Sequence, residues 1–169
     1  MEAASIVLKK SEVFKNLEAE QILKLLAICR QVTFPAGRDI LVEGEVGDTM
    51  YIMMEGTVEI IKRLVITDDE GNDDGRNKVF TRLDASTHAV FGEMALLESQ
   101  RRTATVRAVT DCVLFEIRKD DFLRLAEEDN LIGYRVAFNL ARIVSARLRK
   151  ADEETVKLTT ALSIILKEI

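Results

Sequence analysis

This chain of 169 residues is poor in the groups that most often carry chemistry. It has one histidine, His88, and no second imidazole to share a metal with it. That excludes a two-histidine metal centre, and His88 stands in no nucleophile motif of the Ser/His/Asp or Cys/His kind. The two cysteines, Cys29 and Cys112, sit inside apolar runs without metal-ligand spacing, so they read as buried reduced thiols. No apolar run approaches the roughly 20 residues of a membrane span, and the N-terminus lacks the charged and apolar regions of a signal peptide. The formal charge of −5 argues against a broad nucleic-acid footprint. The one proline, in Pro35-Ala36-Gly37, is turn chemistry. What is abundant is ordinary: 47% hydrophobic and 31% charged residues suit a soluble domain with a sizeable core and an appended element.

Periodicity divides the chain into three parts. Residues 5–29 read as helical, with Ile22, Leu25, Leu26 and Cys29 at helical spacing and Asn16 as a cap. Short apolar runs then alternate with turns. They predict strands at 31–34, 39–42, 49–54, 57–63, 79–83, 88–91, 104–109 and 112–118, with a tight hairpin at Glu55-Gly56. Strands at this spacing argue for a mainly β chain with flanking helices: an eight-stranded jelly roll, as a barrel or a sandwich. The acidic stretch Asp68–Gly75 carries Glu70, Asn72 and Asp74 at alternating positions, but the twelfth position of a calcium loop is Thr81, not glutamate. It reads as a solvated hairpin tip.

A helical pattern resumes at Asp120 or Asp121, runs to Glu128 and continues as a long helix that meets no glycine or proline after Tyr134. Two stripes compete along it. Tyr134, Ala137, Ala141, Val144, Leu148, Ala151, Thr155, Leu158, Leu162, Ile165 and Ile169 form a heptad seam suited to a two-stranded coiled coil. Val136, Leu140 and Ile143 form a second stripe that can pack on the β unit. Either the seam joins two copies, or the helix bends near Asp152 and folds back. The expected division is residues 1–130 for the N-terminal helix and jelly roll, and 131–169 for a helical lid and dimerisation segment.

One segment gathers the chemistry. Phe91-Gly92-Glu93-Met94-Ala95-Leu96-Leu97 is followed, after a short gap, by Arg101-Arg102-Thr103-Ala104-Thr105-Val106. Glycine lets backbone approach an anion, a helix start offers amides, and arginine adds a charge-assisted bond to phosphate oxygens. Glu93 can accept a sugar hydroxyl. The set suits a small phosphate joined to a ribose.

This segment resembles the phosphate-binding cassette of the cyclic nucleotide-binding domain family, with Arg101 where a proline is usual. A second stretch of the family's pattern lies upstream as Gly44-Glu45-Val46-Gly47-Asp48-Thr49-Met50-Tyr51-Ile52-Met53-Met54-Glu55-Gly56-Thr57-Val58. The resemblance covers about residues 10 to 150. It implies a ligand, cAMP or cGMP, and no cofactor or metal. Arg102, with the amides of Ala95 and Thr103, would meet the phosphate, and Glu93, beside Gly92, the ribose. Thr103 bears on the base, because a hydroxyl after the arginine can bond guanine in the syn conformer. Met94, Leu96, Val42 and Leu83 are expected as apolar pocket contacts, and Asn139, Arg142 and Arg147 as candidates for the base lid. Gly44, Gly47 and Gly56 would serve turns, with Asp48 capping one. The chain departs from the pattern in the glycine-free loop Leu83–Val90, and at Arg147 and Leu148, where the transcription-factor branch offers two small hydroxyls.

The resemblance implies a cyclic nucleotide sensor that relays occupancy through its C-terminal helix to a downstream protein partner; the composition adds a cytoplasmic, non-catalytic chain, and the heptad seam a homodimer. A cupin-like metal enzyme shares the fold type but needs more histidines than His88. A DNA-binding regulator needs a helix-turn-helix, and the residues after Arg149 show neither its turn glycine nor its basic face. The remaining alternative is a scaffold that has lost its ligand. Neither nucleic acid nor membrane is expected as a partner.

Overall fold

A computed structural model describes residues 2–64, 76–98 and 101–167. The acidic stretch Asp68–Gly75, expected as a hairpin tip, and Ile169 of the seam lie outside the described residues. Among the described residues, eight strands form two four-stranded antiparallel sheets. One has the order β1 (Arg30–Phe34), β8 (Cys112–Arg118), β3 (Thr49–Glu55), β6 (Val90–Phe91). The other has the order β2 (Asp39–Leu41), β7 (Thr105–Ala108), β4 (Thr57–Leu64), β5 (Arg76–Asp84). The strands match the expected segments, and the sheets stack as a jelly-roll sandwich instead of closing into a barrel. The turn at Glu55-Gly56 joins β3 to β4 but is not the tight hairpin expected, because the two strands do not pair: it carries the chain from one sheet to the other.

Period-two alternation along β3 supplies two cores at once. Tyr51 and Met53 face the second sheet, in a cluster with Leu41, Val58, Phe91, Val106 and Leu114. Met50 and Ile52 point the other way, into a cluster built by the helices. Tyr51 stacks on Phe91 with centroids 5.4 Å apart, and its hydroxyl donates to Glu116 Oε1 at 3.0 Å.

The N-terminal region is not one helix. α1 (Glu2–Lys10) gives way to a 3₁₀ turn at Glu12–Phe14, and α2 (Ala19–Ile28) follows. Asn16 does not cap α2: it takes a left-handed φ of 68°. Glu18 is the N-cap, its backbone N–H donating to Gln21 Oε1 at 3.1 Å. The break lets Leu8, Val13, Phe14, Ile22 and Leu25 reach one core from two directions, which a straight helix cannot do.

α4 (Lys119–Glu128) leads into α5 (Asn130–Lys167), which is continuous and does not fold back. Asp129 starts α5, with the Ile132 amide donating to its Oδ1 at 3.3 Å. The second stripe wins the contact with the domain: Val136 and Leu140 are fully buried and Ile143 packs beside them. The seam faces outward, with Tyr134 65%, Leu148 61% and Leu158 72% exposed.

Both cysteines are free. Burial pushes the Cys29 thiol up to about 12, and desolvation also raises that of Cys112. Thiolate is the reactive form, so the native chain should resist a thiol-specific reagent near about pH 8 and react only on unfolding. Fast labelling of the native chain would contradict this.

Candidate functional site

The cassette is assembled by hydrogen bonds to the upstream glycine motif. The Arg102 amide donates to Glu45 O at 2.8 Å, and the Gly44 amide donates to Arg102 O at 2.9 Å. Arg101, standing where a proline is usual, donates from Nη1 to Gly44 O at 2.7 Å. Two separate motifs thus become one wall.

The Arg102 guanidinium lies between two glycines. A Cβ on Gly47 would stand 2.3 Å from Arg102 Nε, and one on Gly92, at φ +72°, would stand 3.0 Å from Nη1. Gly47 is therefore not only a turn residue: it leaves room for the guanidinium. Nη2 donates to Thr49 Oγ1 at 2.9 Å. Burial lowers the pKa of Arg102, while Tyr51, Asp48 and Glu93 act the other way. Gly47→Ala should leave the fold intact, because the clash falls on the far end of a flexible side chain. It should displace the guanidinium and weaken binding of a phosphate ligand by about ten-fold or more, the effect of one lost charge-assisted bond. Calorimetry beside circular dichroism checks both halves.

Glu93 is 2% exposed and precedes the single-turn helix α3 (Met94–Leu97). Its carboxylate is held by Arg147 of α5, whose Nη1 donates to Glu93 Oε1. The long helix therefore reaches the cassette through an ion pair with one buried and one half-exposed partner. Asp48 does not work through its side chain as a turn cap: that side chain pairs with Arg118 at 3.4 Å, and its carbonyl accepts the Lys119 amide at 2.8 Å. The glycine-free loop closes as a 3₁₀ turn, Ala85–Thr87, followed by His88 at φ 49°. Asp84 organises it, accepting from the Ser86 amide at 2.8 Å and from Thr57 Oγ1 at 3.0 Å. Those bonds hold the Asp84 carboxyl below its ordinary range.

These elements enclose a cavity of about 460 Å³. Of the residues named from sequence, Gly92, Glu93, Met94, Ala95, Arg102, Thr103, Leu83 and Arg147 line it together. The Ala95 amide, expected to face a phosphate, here donates to Gly92 O at 3.1 Å. Four named residues are not among those lining it. Leu96 is 1% exposed in the helical core, because the single turn of α3 buries it on the opposite face. Val42 follows β2, and its neighbour Leu41 lines the cavity instead, a one-residue shift that exchanges faces. Asn139 and Arg142 occupy another face of α5 and border a separate concavity of about 600 Å³ with Glu12 and Lys15. Asn139 donates to Val13 O and Lys15 O at 3.1 and 2.9 Å, tying the N-terminal segment to α5.

Sequence reading missed Ile60, Lys62, Thr81 and Lys150, all of which line the cavity. Period two from Leu83 leads to Thr81 on the same face of β5, and one helical turn beyond Arg147 leads to Lys150. No group of three or more histidine, cysteine, aspartate or glutamate side chains suited to a metal occurs among the described residues. No helix among them is long and apolar enough to cross a membrane.

Fold and site together define a jelly-roll domain whose cavity is lined by the Gly92, Glu93 and Arg102 segment and by the long helix α5. The model of the cyclic nucleotide-binding domain matches residues 31–129. The chain belongs to the cyclic nucleotide-binding domain family. It is 29% identical over 147 residues to the cyclic AMP receptor protein of Thermus thermophilus, covering 87% of this chain and 62% of that protein. It is 28% identical to the cGMP-dependent protein kinase, isozyme 2 forms cD4/T1/T3A/T3B, of Drosophila melanogaster, covering 90% of this chain and 13% of the kinase. The crystal structure of the Thermus thermophilus catabolite activator protein superposes with a TM-score of 0.75 at 28% identity, over 88% of this chain and 63% of that one. The chain thus spans less than two thirds of these relatives.

Proposed function

We propose that this domain is a sensor that binds a cyclic nucleotide, cAMP or cGMP, in the cavity of about 460 Å³. The observation that carries the reading is the meeting of Arg102, Glu93 and Arg147 on one wall. Arg102 offers the phosphate a partly desolvated guanidinium, already oriented by Thr49 and shaped around by Gly47 and Gly92. Glu93 is the acceptor for the ribose hydroxyl, with Gly92 beside it. Thr103 borders phosphate and base, while Met94 and Leu83 supply apolar contact. Arg147 is the only one of the three lid candidates that reaches this cavity.

Occupancy is relayed through α5. In this structure Arg147 holds the Glu93 carboxylate, the same group that a ribose hydroxyl requires. A ligand therefore changes what Glu93 offers to α5, and that difference between helix positions is the coupling a sensor needs. Residues 1–130 form the binding unit, and 131–169 the relay. The domain itself is not catalytic, uses no cofactor and works in the cytoplasm. No part of the reading requires nucleic acid or membrane.

The exposed seam supports a homodimer through α5, with a downstream protein reading its state. Leu158 and Leu162, 72% and 56% exposed, lie where a second helix would pack. Leu158→Asp with Leu162→Asp should convert a dimer to a monomer in light scattering, and an unchanged mass would remove the seam from the account. The binding reading is tested by titration calorimetry of the chain with cAMP and cGMP. Saturable heat with either supports it, and no heat with both overturns it.

A further inference from the structure

We infer that the base subsite prefers a 6-oxopurine, guanine over adenine, through Lys62 and Lys150. The inference rests on the cyclic nucleotide reading above and names which nucleotide that site selects.

Among the described residues, five cationic side chains line the cavity: Lys62, Arg101, Arg102, Arg147 and Lys150. Three are already committed, Arg101 to Gly44 O, Arg102 to Thr49 Oγ1 and Arg147 to Glu93. The other two are lysines, which stand on different elements. Lys62 is on β4, its ammonium 5.9 Å from the centre of the Phe80 ring, and shares the cavity wall with Ile60, two residues earlier. Across the ladder, Thr81 pairs with Ile60 and brings a hydroxyl to the same wall. Lys150 comes from α5, one turn beyond Arg147, and lines the same cavity.

The donor and acceptor types decide the base. An ammonium donates and never accepts. The Hoogsteen edge of guanine presents two acceptors, O6 and N7, whereas that of adenine presents N7 and a donor, the 6-amino group. The two lysines match guanine at both atoms and leave the adenine amino group facing like character. Among lining acceptors, Glu93 is held by Arg147, and Glu98 is the C-cap of α3. The Thr81 and Thr103 hydroxyls serve either base. A lysine contact of this kind discriminates by about ten-fold or more.

The test titrates the full chain with 3′,5′-cyclic AMP, cyclic GMP and cyclic IMP. Inosine keeps the 6-oxo group and lacks the 2-amino group, so it separates the lysine reading from any contact of Thr103 with that amino group. Cyclic GMP and cyclic IMP should both bind about ten-fold or more tighter than cyclic AMP. In the Lys62→Met, Lys150→Met double variant the preference should collapse, whatever common loss the removed charges impose on all three ligands. Cyclic AMP binding as tightly as cyclic IMP overturns the inference and leaves the cyclic nucleotide site standing. So does a preference unchanged in the double variant. If none of the three binds, the site reading fails and takes this inference with it.

Discussion

Arg102→Ala is expected to weaken cyclic nucleotide binding by roughly one to two decades while leaving the domain folded. A charge-assisted hydrogen bond of this type contributes about 1.5–3 kcal/mol. Among the described residues the guanidinium has one side-chain hydrogen bond, to Thr49 at 2.9 Å, and its removal leaves a hydroxyl able to turn to water. The strand pairing around it survives, because Glu45 O and the Gly44 amide meet the backbone of residue 102, not its side chain. The loss should appear for cAMP and cGMP alike, since both carry the same phosphate. Calorimetry on wild type and variant decides it. Equal affinities would remove Arg102 from the phosphate site, and a loss confined to one base would move its role elsewhere.

Leu140→Ala is expected to destabilise the domain by about 2–5 kcal/mol. Leu140 is fully buried, and the helical cluster that holds it also contains Phe14, Ile22, Phe122 and Ile132. The melting temperature should fall by roughly 2–4 °C for each kcal/mol in a chain of this size. The control is Leu158→Ala, in the seam and 72% exposed, whose effect on the isolated fold should stay within about 0.5 kcal/mol. Thermal unfolding at protein concentrations low enough to keep a dimer apart separates the two. Similar losses at both positions would mean that the outer stripe also packs on its own domain.

That contrast marks the limit of a pattern argument. Both stripes of α5 were visible as apolar residues at helical spacing. Nothing in their spacing says which one meets the β unit, because either satisfies the period of a helix. The same holds for Asn139 and Arg142. They lie on α5 within reach of a lid alignment, yet the packing of Val136 and Leu140 turns Asn139 to Val13 and Lys15 and leaves Arg142 bordering the separate concavity. The break of the N-terminal helix at Asn16 is of this kind as well. Propensity placed a helix there, and the need to bury Phe14 and Leu8 in one core bent it.

The strands and the cassette were legible for a different reason. Strand patterning is local: β7 alternates with Val106 and Ala108 inward, and β3 reads as a short apolar run because its two faces serve two cores. The segment Phe91–Val106 carries its chemistry in residue types close together along the chain. Glycine, carboxylate and arginine there already describe an anion-and-sugar site before any coordinate is known. Period two along β5 reaches Thr81 from Leu83, so part of the missed wall was within reach of the same reasoning.

Elements and residue chemistry were thus written in the order of amino acids: eight strands, a long helix, two cysteines without ligand spacing, and Arg102 and Glu93 in one motif. Their meeting depends on contacts between residues far apart in the chain. Folding alone brought Gly47 under the Arg102 guanidinium, Arg147 onto Glu93, and Lys62 and Lys150 to the wall of one cavity. Local spacing can state what a side chain is able to do. Which partner it meets is decided when two sheets and a helix bury their apolar faces together, because burial sets the rotation of every other face.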